Sequence, residues 1–117
     1  EARLRQAKII SGWVHQNAAP VILMGDFNDD PGSPAHGLLA GGDSGLADSW
    51  EVLKRAEGEE SFTHHGFTGV PETNRIDWIL IARQWMVKDA CIVREPYEGR
   101  YPSDHFPYYV DLEWNFI

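Results

Sequence analysis

Apolar residues recur at helical spacing over residues 2–16. Leu4, Ala7, Ile10, Trp13 and Val14 fall on one side, and Arg3, Arg5, Gln6 and Gln16 fall elsewhere. That pattern predicts an amphipathic helix. Asn17-Ala18-Ala19-Pro20 ends it, because Pro20 bars continuation. Val21–Met24 is a short, unbroken apolar run, as expected of a strand buried on both faces. Gly25 begins a loop, and Asp29-Asp30-Pro31-Gly32-Ser33-Pro34 is dense in turn signals. Ser33 is placed to cap a short helix with Pro34 at its first position, running through about Leu39. Gly41-Gly42 breaks it. Leu46–Leu53, carrying Trp50 and Val52, reads as another short helix, and Glu57–Glu60 as an exposed acidic turn.

The remainder alternates between strands and loops. Strands are expected at Phe62–Phe67, Arg75–Ala82, Met86–Glu95 and Phe106–Trp114. In the last, Tyr108, Val110, Leu112 and Trp114 share one face, while Tyr109, Asp111 and Glu113 share the other. A clean period of two marks a half-buried sheet strand. Helix, strand, then mostly strands reads as an α+β fold with sheets packed inside helices.

Composition narrows the possibilities. A chain of 117 residues, 43% hydrophobic, fits one domain with a packed core and is too apolar for a disordered segment. No apolar run approaches ~18 residues, so no transmembrane segment is expected. The single cysteine, Cys91, lies in a strand-like run and reads as a buried structural thiol. The lack of cystines is compatible with a reducing, cytoplasmic compartment. A net charge of −8 argues against a sequence-independent grip on long duplex DNA, which depends on Lys and Arg at phosphates. A phosphate ester remains an acceptable substrate, since a bound divalent cation locally reverses the sign of a site.

Three polar motifs sit at the edges of apolar runs: Gly25-Asp26-Phe27-Asn28, Arg75-Ile76-Asp77 and Ser103-Asp104-His105. Carboxylates in such settings need a partner or a metal. Asp26 and Asn28 point the same way if the backbone stays extended, and then suit proton abstraction from water and stabilisation of a phosphoryl oxygen. Alternatively both bond local backbone in an Asx-type turn. Asp77 shares a strand face with Ile79 and Ile81, and pairs either with Arg75 or a backbone amide, or with a histidine whose tautomer it fixes. His105 can supply that imidazole, leaving its other nitrogen for a phosphate oxygen, while Asp104 faces the opposite way and suits a hard cation. A zinc site drawing on His64, His65 and His105 is disfavoured, because adjacent strand residues point to opposite faces. His65 is instead expected either near the substrate pocket or as a surface or structural histidine.

Together these motifs resemble the endonuclease/exonuclease/phosphatase superfamily. Thr63-His64-His65-Gly66-Phe67 is similar to a further element of its bacterial members, with His64 replacing an aromatic residue. The resemblance implies part of a four-layer α/β sandwich, in which two packed mixed or antiparallel β-sheets are flanked by helices, as in the deoxyribonuclease-like fold. It implies a Mg²⁺-dependent phosphoesterase of nuclease or phosphatase type, with Mn²⁺ a possible substitute. Asp26 would activate the attacking water, Asn28 would stabilise the transition state, and Asp77 would orient His105. His105 would bind or protonate the phosphoryl group, with Asn28 and His65 also facing substrate, and Asp104 and Asp26 would be metal ligands. The expected substrate is short or single-stranded nucleic acid, or a small phosphoester. The resemblance spans about the C-terminal half of the family domain. Residues 1–117 are therefore expected to need an N-terminal half that carries the principal metal-binding Glu, and to turn over little alone. The competing expectation is a non-catalytic phosphate- or protein-binding module that keeps the fold.

Overall fold

The computed structural model describes residues 1–17, 19–42 and 44–115. Helix α1 spans Ala2–Gln16, strand β1 Ile22–Asp26 and helix α2 Pro34–Leu39. A short strand β2, Ala47–Asp48, runs directly into helix α3, Ser49–Val52. After a 3₁₀ turn at Glu59–Ser61 come β3, Asp77–Ile81, β4, Trp85–Ile92, and β5, Tyr108–Trp114. Local chemistry accounts for several boundaries. The Ser33 hydroxyl accepts the His36 amide at 3.1 Å with Pro34 in the first turn, an N-cap as expected. Asp48 caps α3 by accepting the Trp50 amide at 2.9 Å.

β1, β3 and β2 form one antiparallel sheet in that order, and β4 pairs with β5 in a second. β3 is the hub. Trp78 and Leu80 turn toward α1 and α2, joining Ala7, Val14, Ala35 and Leu39 in one apolar cluster. Ile79 and Ile81 turn the other way and meet Val87, Val110 and Leu112 of the β4–β5 pair. The chain thus stacks helices, a sheet and a second sheet, a mixed α+β arrangement with antiparallel sheets. Among the described residues, no helix is long and apolar enough to cross a membrane.

Some expectations need correction. The apolar run at Val21–Met24 is not buried on both faces: Ile22 and Met24 are 40% and 64% exposed. β1 is an edge strand whose Leu23 side lies under the helices, whereas the continuously apolar strand with two covered faces is β3. In α1 the buried stripe is Ala7, Ser11 and Val14, and Trp13 is 60% exposed, because it lies about 200° around the helix from Ser11. The strand expected at Phe62–Phe67 is reduced to two isolated bridges at His64, to Glu72 and to His105. Gly66 and Phe67 both take positive φ, at 59° and 67°, which turns the chain out of the extended form. Cys91 is half-buried rather than buried, opposite Tyr109. Glu57 is more than a solvated acid, because it pairs with the fully buried Arg75 at 2.7 Å.

Candidate active site

The β1–β3 register sets Asp26 directly opposite Asp77. Directly opposed like charges on one sheet face repel. An imidazole stands beside both: His105 Nδ1 lies 2.7 Å from Asp77 Oδ2, and its Nε2 lies 3.6 Å from Asp26 Oδ2. A carboxylate on Nδ1 selects the Nδ1–H tautomer and turns Nε2 to the open side. Burial works against the imidazolium. The Asp77 hydrogen bond and the charges of Asp77, Asp26 and Asp104 outweigh it, so the His105 pKa lies above its ordinary value.

The segment before β3 is tied to the segment before β5 through Thr63. Its buried hydroxyl accepts the Ile76 and Asp77 amides at 3.1 and 3.3 Å, and its carbonyl accepts the Phe106 amide at 2.7 Å. One residue therefore sets the backbone on both sides of the Asp77–His105 pair. Behind it, Phe27 stacks on Trp78 with centroids 4.4 Å apart, and the Trp78 indole donates to the Arg75 carbonyl at 2.8 Å. A stacked pair contributes about 0.5–1.5 kcal/mol beyond its burial, here at the end of the sheet that bears the carboxylates.

These groups open into a cleft of about 420 Å³ lined by Asp26, Asn28, His64, Asn74, His105 and Arg3, among others. The Asp104 carboxylate sits at its edge, 3.6 Å from His64 Nε2 and 4.0 Å from His105 Nε2. Such a set offers hard oxygen donors, an oriented imidazole and a carboxamide around one open space. It has the parts for metal-assisted attack of water on a phosphate.

A family model described as the endonuclease/exonuclease/phosphatase family matches residues 2–105. The chain belongs to this family. Solved structures agree. One is the mannosyl-6-phosphatase of Bacteroides thetaiotaomicron VPI-5482, at 27% identity and a TM-score of 0.80, covering 97% of this chain and 46% of that one. An endonuclease/exonuclease/phosphatase from Bacteroides vulgatus also matches at 27% identity and 0.80, covering 97% and 44%. A humanized D. rerio TDP2, at 24% identity and 0.67 with 95% and 48% coverage, shares the fold. The chain thus spans under half the length of these structures. No curated protein sequence matches it.

Within this family fold, Asp26, Asn28, Asp77, Asp104 and His105 come together, although 78 positions separate Asp104 from Asp26 in sequence. Two orientations differ from expectation. Asn28 does not continue an extended strand: its φ is 52°, and its amide donates to Asp26 Oδ1 at 2.8 Å. The Asx-type turn forms, yet Asn28 still lines the cleft. Asp104 does not face away from His105 but lies on the same side, because the chain bends at residues 102–104 before β5 begins.

His65 is the residue that does not join the cleft. It is fully buried, its Nδ1 accepts the Gly69 amide at 3.2 Å, and its ring stacks on Phe106 at 4.3 Å. The cleft position goes to His64, which bridges to His105 across strands. Strand alternation carries that signal: if His65 faces inward with Thr63, then His64 faces out. Arg75 was a candidate partner for Asp77 but pairs with Asp48 and Glu57. Its long stem carries the guanidinium to the far side of the sheet end.

Proposed function

We propose that the protein carrying this chain is a divalent-metal-dependent phosphoric ester hydrolase that cleaves a phosphodiester or phosphomonoester by direct attack of water. The observation that carries this reading is the Asp77–His105–Asp26 line, with contacts of 2.7 and 3.6 Å at the mouth of one cleft. Asp26 takes the proton of the attacking water, and Asn28 donates to a phosphoryl oxygen. Asp77 holds the His105 ring. The raised pKa keeps a proton available at Nε2, to bind the phosphoryl group or protonate the departing oxygen.

The donor chemistry fits a hard cation. The Asp104 and Asp26 carboxylates are about half exposed, and Asp104's neighbours in the cleft are imidazole nitrogens no closer than 3.6 Å. Oxygen ligands of this kind suit Mg²⁺ or Mn²⁺, with water completing the shell. When bound there, the cation would supply Lewis-acid neutralisation of phosphoryl charge. The proposal includes further ligands from the rest of a complete domain, since the chain spans under half the length of its relatives.

A small phosphoester is the favoured substrate class, ahead of short or single-stranded nucleic acid. The cleft carries several aspartates and a single arginine, and a relative at 27% identity is named a mannosyl-6-phosphatase. The test is a screen of the full-length protein with Mg²⁺ on sugar phosphates, single-stranded DNA and RNA. Asp26→Ala and His105→Ala should each lower turnover by roughly 10²–10⁴-fold while leaving the fold intact. Turnover near wild type in either variant overturns the assignment.

A further inference from the structure

His65 has no part in the proposed chemistry, yet it is fully buried beside the segment that carries it. Its backbone amide donates to the Asp104 carbonyl at 2.8 Å, and the Gly66 amide donates to the same oxygen at 3.2 Å. Two residues on, the Phe106 amide donates to the Thr63 carbonyl at 2.7 Å. His105 lies between these anchors, bridged to His64. The His65 ring completes the arrangement: it stacks on Phe106 at 4.3 Å and meets Tyr101 at 4.7 Å. Residues on both sides of Asp104 and His105 therefore rest on one imidazole.

The second amide on the Asp104 carbonyl depends on a turn. Gly66 and Phe67 take φ of 59° and 67°, a region that is costly for a side chain as bulky as phenylalanine. The turn is closed on His65 itself. Its carbonyl accepts the Thr68 amide at 3.0 Å and the Thr68 hydroxyl at 2.7 Å, and its Nδ1 accepts the Gly69 amide at 3.2 Å. In a neutral imidazole, an accepting Nδ1 puts the proton on Nε2. That buried N–H has no partner among the described residues, a cost that an apolar ring of similar size avoids. Packing alone gives no reason for a histidine here, whereas the acceptor at Nδ1 does.

We propose that His65 is a positioning residue: by accepting the Gly69 amide it holds the 65–69 turn, whose first two amides fix the Asp104 carbonyl and so set where the Asp104 carboxylate and the His105 imidazole stand. A displacement of about 1 Å in groups of this kind costs roughly 10²-fold in rate. What Asp104 and His105 do rests on the hydrolase reading; where they stand does not.

Two substitutions separate positioning from packing. His65→Phe keeps a stacking ring, removes the unpaired N–H and strands the Gly69 amide. His65→Asn places its Oδ1 where Nδ1 stood and gives up the ring. In the full-length protein, His65→Phe should melt within a few degrees of wild type yet lower kcat by roughly 10–100-fold with little change in KM. His65→Asn should melt lower and recover most of kcat. A merely structural role gives the opposite order, with activity following stability, and that order overturns the proposal. Spectra of the histidine rings supply a readout that needs no turnover. In the wild type, ¹⁵N shifts should show His65 as the Nε2–H tautomer. The Nδ1–H proton of His105, 2.7 Å from Asp77, should shift in His65→Phe and stay in place in His65→Asn. A His65 protonated at Nδ1, or a His105 resonance that His65→Phe leaves unmoved, also overturns the proposal. If the full-length protein hydrolyses no phosphate ester, the hydrolase reading falls and the spectra alone decide this one.

Discussion

Arg75→Met tests how the sheet end that carries Asp77 is held. Arg75 is fully buried. Its guanidinium donates to Asp48 at 2.9 and 3.2 Å and to Glu57 at 2.7 and 3.2 Å. Methionine keeps much of the stem volume and removes every one of those donors. Glu57 is 38% exposed and turns to water, but the Asp48 side chain is fully buried. It retains only His36 at 2.7 Å and the Trp50 amide at 2.9 Å. Breaking one side of a buried pair costs about 3–5 kcal/mol, a large share of the roughly 5–15 kcal/mol of an ordinary domain. That corresponds to a melting temperature lower by about 10–20 °C, read by circular dichroism and urea unfolding. The pH dependence gives a second check. In the wild type, burial pushes the Asp48 carboxyl up, but the His36 hydrogen bond and Arg75 outweigh it and hold its pKa below 3.8. The ionised pair is therefore fully stabilising above about pH 3.8 and is lost as pH falls through the lower folded value. In Arg75→Met, burial acts without the guanidinium, so acid relieves the stranded carboxyl and the stability gap should narrow from pH 7 to pH 5. A variant within about 1 kcal/mol of wild type at neutral pH, or a gap that widens with acid, refutes the reasoning.

Thr63→Val keeps the shape but strands the Ile76 and Asp77 amides, which should cost about 1–3 kcal/mol in urea unfolding. Turnover should fall with it, and Thr63→Ser should recover most of both. Asn28→Gly preserves the positive-φ turn and removes the carboxamide, so kcat should fall with little change in melting temperature, whereas Asn28→Ala should lower both. Chelation with EDTA should abolish hydrolysis by the full-length protein, and added Mg²⁺ or Mn²⁺ should restore it, since Asp26 and Asp104 offer half-exposed hard oxygen donors at the cleft.

Much of this molecule is legible in its sequence where one physical rule acts alone. Ser33-Pro34 announces its helix because capping and a fixed φ depend on those two residues only. The alternation of β5 appears because one face is covered and the other is wet. Legibility fails where tertiary partners decide. Val21–Met24 and Trp78–Ile81 are both unbroken apolar runs, yet only the second has neighbours on both faces, and nothing local distinguishes an edge strand from a hub. The strand expected at Phe62–Phe67 pairs only at His64 and ends when Gly66 and Phe67 leave extended geometry. The Asp77–His105 contact was foreseeable because the chemistry of each residue asks for the other. The Arg75–Asp48–His36 network was not, because its partners lie in an element whose short strand merges into a helix.

The charge around the cleft ties the fold to the proposed chemistry. Antiparallel register forces Asp26 against Asp77, and the bend at residues 102–104 adds Asp104. Asp29 and Asp30 line the same opening, answered there only by Arg3 among fixed cations. A protonated His105 offsets one carboxylate, which is why its pKa rises, but it cannot balance the set. A phosphate approaching such a surface is repelled unless positive charge arrives with it, and a divalent ion on Asp26 and Asp104 reverses the local sign. Under the proposed function, the same excess of carboxylates would disfavour a polyanion held by lysines and arginines and favour a compact phosphoester held through a cation. Substrate binding should then depend on divalent metal concentration far more than on ionic strength. Strong weakening by monovalent salt at saturating Mg²⁺, the signature of many lysine and arginine phosphate contacts, would contradict that account of the cleft.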